Sequence, residues 1–170
     1  MYYLNYFFIF SFVGYIFENI VYVIMKQKAD SGFLYGCWTP VYGLGAITVI
    51  YLSKIIFKSL KLNKFLEILI FILITTLVLT FIEWVGGHLL HFIFHKNFWD
   101  YENMKYNIGK YISLEVYFIL LIMSLAFLYL IKPWMDKIVN LIPNYITYIL
   151  IFLFIIDIII TLINKNKLVK

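Results

Sequence analysis

Arginine is absent from this 170-residue sequence, and charged residues of either sign are scarce. All 14 basic residues are lysine, nine residues are acidic, and charged residues make up 14% of the chain. A soluble domain carries roughly a quarter charged residues, so an ordinary water-soluble domain is excluded. The net charge of +5 is spread over loops and the C-terminal tail. That distribution is typical of charges flanking membrane segments and does not indicate nucleic-acid binding.

The sequence also contains only one cysteine and lacks several common catalytic motifs. Cys37 is the only cysteine, which excludes an intrachain disulfide and a metal site built from several cysteines. There is no P-loop sequence, so this chain does not hydrolyse ATP by that route. No nucleophile-elbow, zincin or dinucleotide-binding pattern occurs. The sequence therefore predicts no enzyme class and no particular cofactor.

Long apolar runs fill most of the sequence, which is 64% hydrophobic with a mean hydropathy of +0.93. A membrane-spanning helix needs about 20 mostly apolar residues. Five runs satisfy this length and predict an all-α, polytopic transmembrane helical bundle in one integral membrane domain, residues 1–170. The first run lacks a basic leader and a small-residue cleavage site, so we expect it to be retained as a helix. The predicted spans lie near residues 2–25, 40–57, 65–90, 112–131 and 145–163.

The polar breaks between the runs predict which loops share a side of the membrane. The breaks are residues 26–39, 58–64, 96–111 and 132–144, and the last contains Pro133 and Pro143, which punctuate helices. Five spans put the first loop, the third loop and the C-terminal tail on one side. That side carries eight lysines and the other carries six. The excess favours an outside N-terminus and an inside C-terminus.

Four acidic residues lie inside the apolar runs: Glu18, Glu83, Glu115 and Asp157. A carboxylate in hydrocarbon is costly and is usually retained for function. At about 1.5 Å rise per residue, all four fall within roughly 10 Å of the same side. No lysine lies at matching depth, so they are protonated, hydrated, paired with histidine or bound to a cation. The alternative, strongest for Glu115 and Asp157, is a solvated position at the interface.

Histidines follow Glu83 on the third run. His88, His91 and His95 recur at a spacing that places them on one helical face. Glu83, His88 and His91 are therefore candidate ligands of a transition metal. His95 lies about 10 Å along the axis from His88, too far to share one ion on a straight helix. The alternative is a set of interfacial histidines.

Two loops are rich in glycine and aromatic residues. The segment 32–43 predicts a tight re-entry into the second span, with Pro40 in its first turn. The alternative is a belt of aromatic side chains at the membrane interface. The segment 96–111 contains Trp99, Asp100 and Tyr101, followed by Asn107 and Gly109. We expect it to be ordered over a pocket, with Asp100 capping a helix or accepting hydrogen bonds from the other loop.

Taken in order, these pieces resemble a family of bacterial integral membrane proteins, the putative ABC-transporter permeases of type IV, also called CmpB-like. The resemblance covers roughly residues 10–125 with its spacing kept. Cys37 stands where the family pattern has proline, Glu102 where it has serine, and His91 where a second glutamate is usual. The segments that carry the resemblance are 14–18 (Gly-Tyr-Ile-Phe-Glu), 32–43, 83–87 (Glu-Trp-Val-Gly-Gly), 99–101 (Trp-Asp-Tyr) and 107–109 (Asn-Ile-Gly).

The resemblance implies a permease-like transport component in the bacterial cytoplasmic membrane. Since this chain has no P-loop, an ATPase would be a separate subunit, and five helices would need that partner or a second copy to form a path. The alternatives are a membrane-embedded enzyme or metal- or lipid-binding protein using the same acids, and a structural subunit in which they only secure helix packing. The expected pocket residues are Glu18, Tyr35, Tyr42, Glu83, His91, Trp99, Asp100, Tyr101 and Asn107.

Overall fold

The computed structural model describes residues 1–24 and 32–164, and within them the protein is an all-α bundle. Five helical segments are long and apolar enough to span a membrane. Residues 25–31 and 165–170, which include the first six residues of the first predicted loop and the basic tail, lie outside the described part. The elements are α1 (Tyr2–Ile24), α2 (Pro40–Ser59), α3 (Lys64–Phe94), β1 (Asn107–Ile108), β2 (Ile112–Ser113), α4 (Leu114–Ala126), a π-helical turn (Phe127–Ile131), α5 (Lys132–Leu141) and α6 (Asn144–Ile163).

The prediction that the fourth span ends near residue 131 is wrong. The chain continues as one helical segment from Leu114 to Leu141 through the π-helical turn. Proline has no N–H and crowds the carbonyl one turn before it. The π-helical turn, whose hydrogen bonds span one more residue than those of an α-helix, ends two residues before Pro133. It accommodates the proline, so the helix continues instead of ending. The break between the last two spans is therefore short and lies around Pro143.

Helix α3 is also longer than predicted, with 31 residues instead of the 26 in the interval 65–90. At about 1.5 Å per residue it measures roughly 46 Å, against about 30 Å of hydrocarbon. Asn63 caps its start by accepting a hydrogen bond from the amide of Leu66. His95 ends it in the left-handed conformation, with φ of 51°. The last turn of α3, which includes the buried Phe94, thus extends beyond the predicted span.

The helices pack through small and hydroxyl-bearing residues. Ser11, Thr75, Thr76 and Thr161 are almost fully buried, whereas many large aliphatic side chains face outward. This distribution is typical of helices that pack in a bilayer, where lipid solvates the apolar faces. The large core side chains include Tyr6 of α1, Ile50 of α2, Phe71 of α3 and Phe127 of the π-helical turn.

A polar network, which we call the N-terminal network, joins the start of α1 to α5 and α6. Asn5 donates a hydrogen bond to the carbonyl oxygen of Val139 at 3.2 Å and accepts one from Thr147 at 2.5 Å. Asp136 accepts hydrogen bonds from the hydroxyls of Tyr2 and Tyr6. The ammonium of Lys132 lies 2.6 Å from the second carboxylate oxygen of Asp136. Every polar side chain named here has a partner, so the network joins α1 to α5 and α6 at this end of the bundle.

At the opposite end of α1, the two aromatic loops meet. Phe33, from the α1–α2 connection, packs against Phe94 and against Phe98 in the α3–β1 connection. The predicted placement of both loops on one side agrees with this contact. Strands β1 and β2 then form a two-residue antiparallel ladder that leads directly into α4.

Candidate functional site

Glu18 and Tyr42 are brought together by close packing of α1 on α2. Tyr42 lies in the first turn of α2, and its side chain forms a hydrogen bond with the carboxylate of Glu18. The ring of Tyr42 packs on Gly14, where a Cβ atom would collide with it. One turn separates Gly14 from Glu18 along α1, so the glycine makes room for the ring that reaches the acid.

Glu83 of α3 and Tyr101 of the α3–β1 connection complete this group. Burial raises the pKa of the Tyr101 hydroxyl, and the nearby charges of Glu83, Tyr42 and Glu18 raise it further. Tyr101 is therefore a neutral hydroxyl at physiological pH. The side chain of Tyr42 also interacts electrostatically with both glutamates. We call Glu18, Tyr42, Glu83 and Tyr101 the acid–tyrosine cluster.

The cluster has no counter-charge in the part of the chain that the structure describes. The ion pairs there are Lys110 with Glu102 and Lys132 with Asp136, and neither involves Glu18 or Glu83. Two carboxylates from different helices therefore share tyrosine neighbours and have no basic partner within residues 1–24 and 32–164. Such a site is satisfied by protons, by water or by a ligand that brings positive charge.

A cavity of about 180 Å³ adjoins the cluster at Glu18. Two of the polar groups around it lack partners. The hydroxyl of Thr39 and the indole N–H of Trp99 are buried and form no hydrogen bond within the described residues. The cavity wall includes Glu18, Phe33, Thr39, Leu44, Phe98 and Trp99.

The α3–β1 connection is held over the end of α3 by aromatic packing on two glycines. The Trp99 ring lies about 3.4 Å from where a Cβ of Gly86 would stand, and the Tyr111 ring leaves no room for a Cβ at Gly87. The hydroxyl of Tyr111 donates to the side-chain oxygen of Asn97 at 2.8 Å. These contacts keep Trp99 against the cavity.

Asp100 and Asn107, both expected in the pocket, organise their own loop. Asp100 is exposed and accepts hydrogen bonds from the amide of Glu102 at 2.9 Å and from Asn97 at 3.0 Å. This is the turn-forming role of aspartate, not a bond to the other loop. The side chain of Asn107 donates to the carbonyl oxygens of Glu102 and Gly109. Neither residue is part of the cavity wall.

Tyr35 belongs to the α1–α2 connection but lies beside Asp157 instead of the two glutamates. Its amide donates to one carboxylate oxygen of Asp157 at 3.1 Å, and the amide of Gly36 donates to the other at 2.9 Å. The Tyr35 side chain is exposed. Asp157 of α6 thus holds the backbone of the loop that carries Phe33 and Thr39.

Glu115, the fourth interior acid, serves the start of α4. Its carboxylate accepts hydrogen bonds from the hydroxyl of Ser113 at 2.5 Å and from the amide of Tyr106 at 3.3 Å. Acids in the first turn of a helix also interact favourably with its dipole. Of the four interior acids, only Glu18 and Glu83 come together.

The histidines do not assemble a metal site with Glu83. His88 packs between Trp84 and Tyr111, and its Nδ1 faces the carbonyl oxygen of Trp84 at 3.0 Å. His91 is exposed on α3. Over residues 1–24 and 32–164, no three His, Cys, Asp or Glu side chains form a group that could hold a metal ion.

Comparison with known families shows to which family the chain belongs. A family model described as "Putative ABC-transporter type IV" matches residues 5–162, almost the whole length. The chain belongs to this family. It matches no curated protein and no solved structure. Together with the five apolar helices, membership in the type IV family identifies a membrane protein and a component of a putative ABC transporter.

Two features of this type IV family member were not indicated by any pattern in its sequence. Thr39 borders the cavity with an unpaired hydroxyl, but a threonine before proline is unremarkable as a pattern. Asp136 lies in an interval expected to be a loop, so its bonds to Tyr2 and Tyr6, more than 120 residues away in sequence, were not foreseen. In both cases the signal is a contact between distant segments.

Proposed function

We propose that this chain is a permease-like subunit of a transporter and that the acid–tyrosine cluster is its ligand-binding site. The observation that carries the proposal is the pairing of Glu18 with Glu83 through Tyr42 and Tyr101, without a basic partner in the described residues. Carboxylates that face the interior of a bundle mark substrate or ion pathways.

The position of the cluster supports a role in transport rather than in packing. It lies at the end of the bundle where the two aromatic loops meet, and it adjoins a cavity. At the other end, the polar groups of the N-terminal network bond to one another. We place the protein in the bacterial cytoplasmic membrane, with hydrolysis of ATP by a separate subunit or with a second copy completing the path.

The lipid-binding alternative has one observation in its favour, which is the predominantly apolar wall of the cavity. It shares the binding site and differs only in whether the bound molecule is moved. A metal-dependent enzymatic role has no such support, because no group of three metal-binding side chains is found among the described residues.

A ligand search on purified protein tests the binding site. Native mass spectrometry should detect a co-purifying small molecule on the wild type and on Glu102→Gln, whose glutamate is exposed and pairs with Lys110. The double variant Glu18→Gln/Glu83→Gln should lose it. Retention by the double variant would exclude the cluster as the site.

A flux measurement distinguishes transport of the bound molecule from binding alone. The purified chain is placed in proteoliposomes with a candidate ATPase subunit, and uptake of the detected molecule is followed with and without ATP. Uptake that requires ATP and both glutamates supports the permease. Binding without flux in this complete system favours the lipid-binding alternative.

A further inference from the structure

The cavity beside Glu18 selects for one positive charge. Among the described residues, Glu18 is the only ionisable one in its wall, which is otherwise built from aliphatic, aromatic and glycine residues together with Thr39. Lys96, whose ammonium lies 5.4 Å from the centroid of the Phe98 ring, does not belong to the wall. A ligand that fills the space gains most if a single cationic group lies at the carboxylate, because an unpaired charge in apolar surroundings is costly.

Thr39 indicates which kind of cation fits. Its side chain is 5% exposed, and its hydroxyl has no hydrogen-bond partner among the described residues. A buried hydroxyl without a partner is unfavourable, and here it borders the same cavity as Glu18. A primary ammonium has three N–H donors and can serve both the carboxylate and this oxygen. A quaternary ammonium has none.

The volume limits the apolar part of the ligand. The cavity measures about 180 Å³, slightly more than the roughly 150 Å³ of an engineered apolar cavity that binds benzene. The rings of Phe33, Phe98 and Trp99 supply flat apolar surfaces and can also attract a cation. The buried part of the ligand is therefore about the size of one ring or a short branched chain.

We infer that the site binds a primary ammonium group attached to a compact apolar body. This inference rests on the proposed function, since it names the ligand class of the same cluster. The ammonium can belong to a free amine or to the headgroup of an aminophospholipid. The carboxylate of Glu18 is the charge-recognising group, and Thr39 is the second acceptor.

Binding of a matched probe series tests this ligand class. Calorimetric titration of the protein in nanodiscs made only of phosphatidylglycerol uses 2-phenylethylammonium, its trimethylated analogue, 2-phenylethanol and phenylacetate. We expect binding in that order, with at least a tenfold loss for the alcohol and none detectable for the anion. Glu18→Gln should weaken the ammonium probe at least tenfold and leave the alcohol unchanged, whereas Glu102→Gln should bind as the wild type does.

Two further measurements test where the ligand binds and whether it comes from the lipid or from solution. Thr39→Val should reduce the preference for the primary over the trimethylated ammonium, with thermal unfolding used to verify that the variant is folded. If the natural source is lipid, nanodiscs containing phosphatidylethanolamine should compete with the probe; if it is a free amine, they should not.

The outcomes separate this inference from the proposed function. Equal binding of the ammonium and alcohol probes, or an unchanged affinity in Glu18→Gln, overturns the ammonium assignment. If the probes fail but a different co-purifying molecule requires Glu18 and Glu83, the proposed site stands and the ligand class is wrong. If neither probe nor co-purifying molecule depends on the glutamates, both proposals fail.

Discussion

Gly14 and Gly45 are both interior glycines of transmembrane helices, yet their surroundings differ. A Cβ at Gly14 would overlap the ring of Tyr42, whereas a Cβ at Gly45 would meet only Leu79, at 3.7 Å. The first glycine is needed for a close approach, and the second is not. Small residues are generally preferred where membrane helices pack. Of these two glycines, Gly14 is the one whose small size is required.

Gly14→Ala should destabilise the protein by about 1–3 kcal/mol, because the methyl group forces Tyr42 away from its position. Gly45→Ala should change stability little or raise it slightly, since alanine favours the helix by about 1 kcal/mol over glycine. Thermal unfolding in one detergent compares the two. Equal stability of both variants would show that Tyr42 does not pack on Gly14.

Asp157 and Asp100 each hold a loop through backbone amides, and they provide controls for each other. Asp157→Asn should speed hydrogen exchange at Tyr35 and Gly36 about fivefold, because replacing a charge-assisted bond by a neutral one removes about 1 kcal/mol. Asp100→Asn should do the same at Glu102. Neither substitution should change the loop held by the other aspartate. Exchange that rises in both loops with either variant would indicate global loosening instead.

At the scale of elements, the start of α1 is held by Asn5, which bonds both Val139 of α5 and Thr147 of α6. Both side chains are buried, so removing one partner leaves the other unsatisfied. The contact therefore couples three helices through one amide group.

Asn5→Leu or Thr147→Val alone should each cost about 1–2 kcal/mol in stability. The double variant Asn5→Leu/Thr147→Val should cost less than the sum, since both unsatisfied groups of the pair are removed together. Chemical unfolding of the four proteins gives the coupling energy. Strict additivity would mean that the two side chains do not interact.

The helices themselves were largely predictable, because apolar run length and the need to pair backbone groups in lipid determine them. The residues at which the helices end were less predictable. Pro133 was expected to interrupt the chain, but a π-helical turn accommodates it, and no residue pattern predicts that accommodation. The pairing of Glu18 with Glu83 was expected from their equal depth and stays a proposal as a binding site. The positions of Tyr35 and Asp100 were not predictable, since each depends on loop geometry. The exposure of His91 was not predictable either, since it depends on how α3 packs against the other helices.

At the scale of the whole molecule, five spans put successive loops on alternating faces of the membrane. Cys37 is exposed in the α1–α2 connection, and Lys105 lies in the α3–β1 connection on the same side. Lys61 lies between α2 and α3 on the other side. The native cysteine therefore serves as one of the probes.

Membrane-impermeant maleimide should label Cys37 in the wild type and Lys105→Cys in a Cys37→Ser background from one face only. Lys61→Cys in that background should be labelled only from the opposite face. Intact cells and inverted vesicles supply the two faces. Labelling of Lys61→Cys and Lys105→Cys from the same side would contradict five spans.

The N-terminal network has a mechanical consequence. It fastens the first turns of α1 to α5 and α6, while Glu18 lies 13 residues further along the same helix, about 20 Å away. Asn5 therefore fixes one end of α1, and the packing of Gly14 and Glu18 on Tyr42 determines the position of the other end. A tilt of α1 about Asn5 by only about 3° would move Glu18 by roughly 1 Å. Small rotations of this one helix would therefore change the width of the cavity that Glu18 lines.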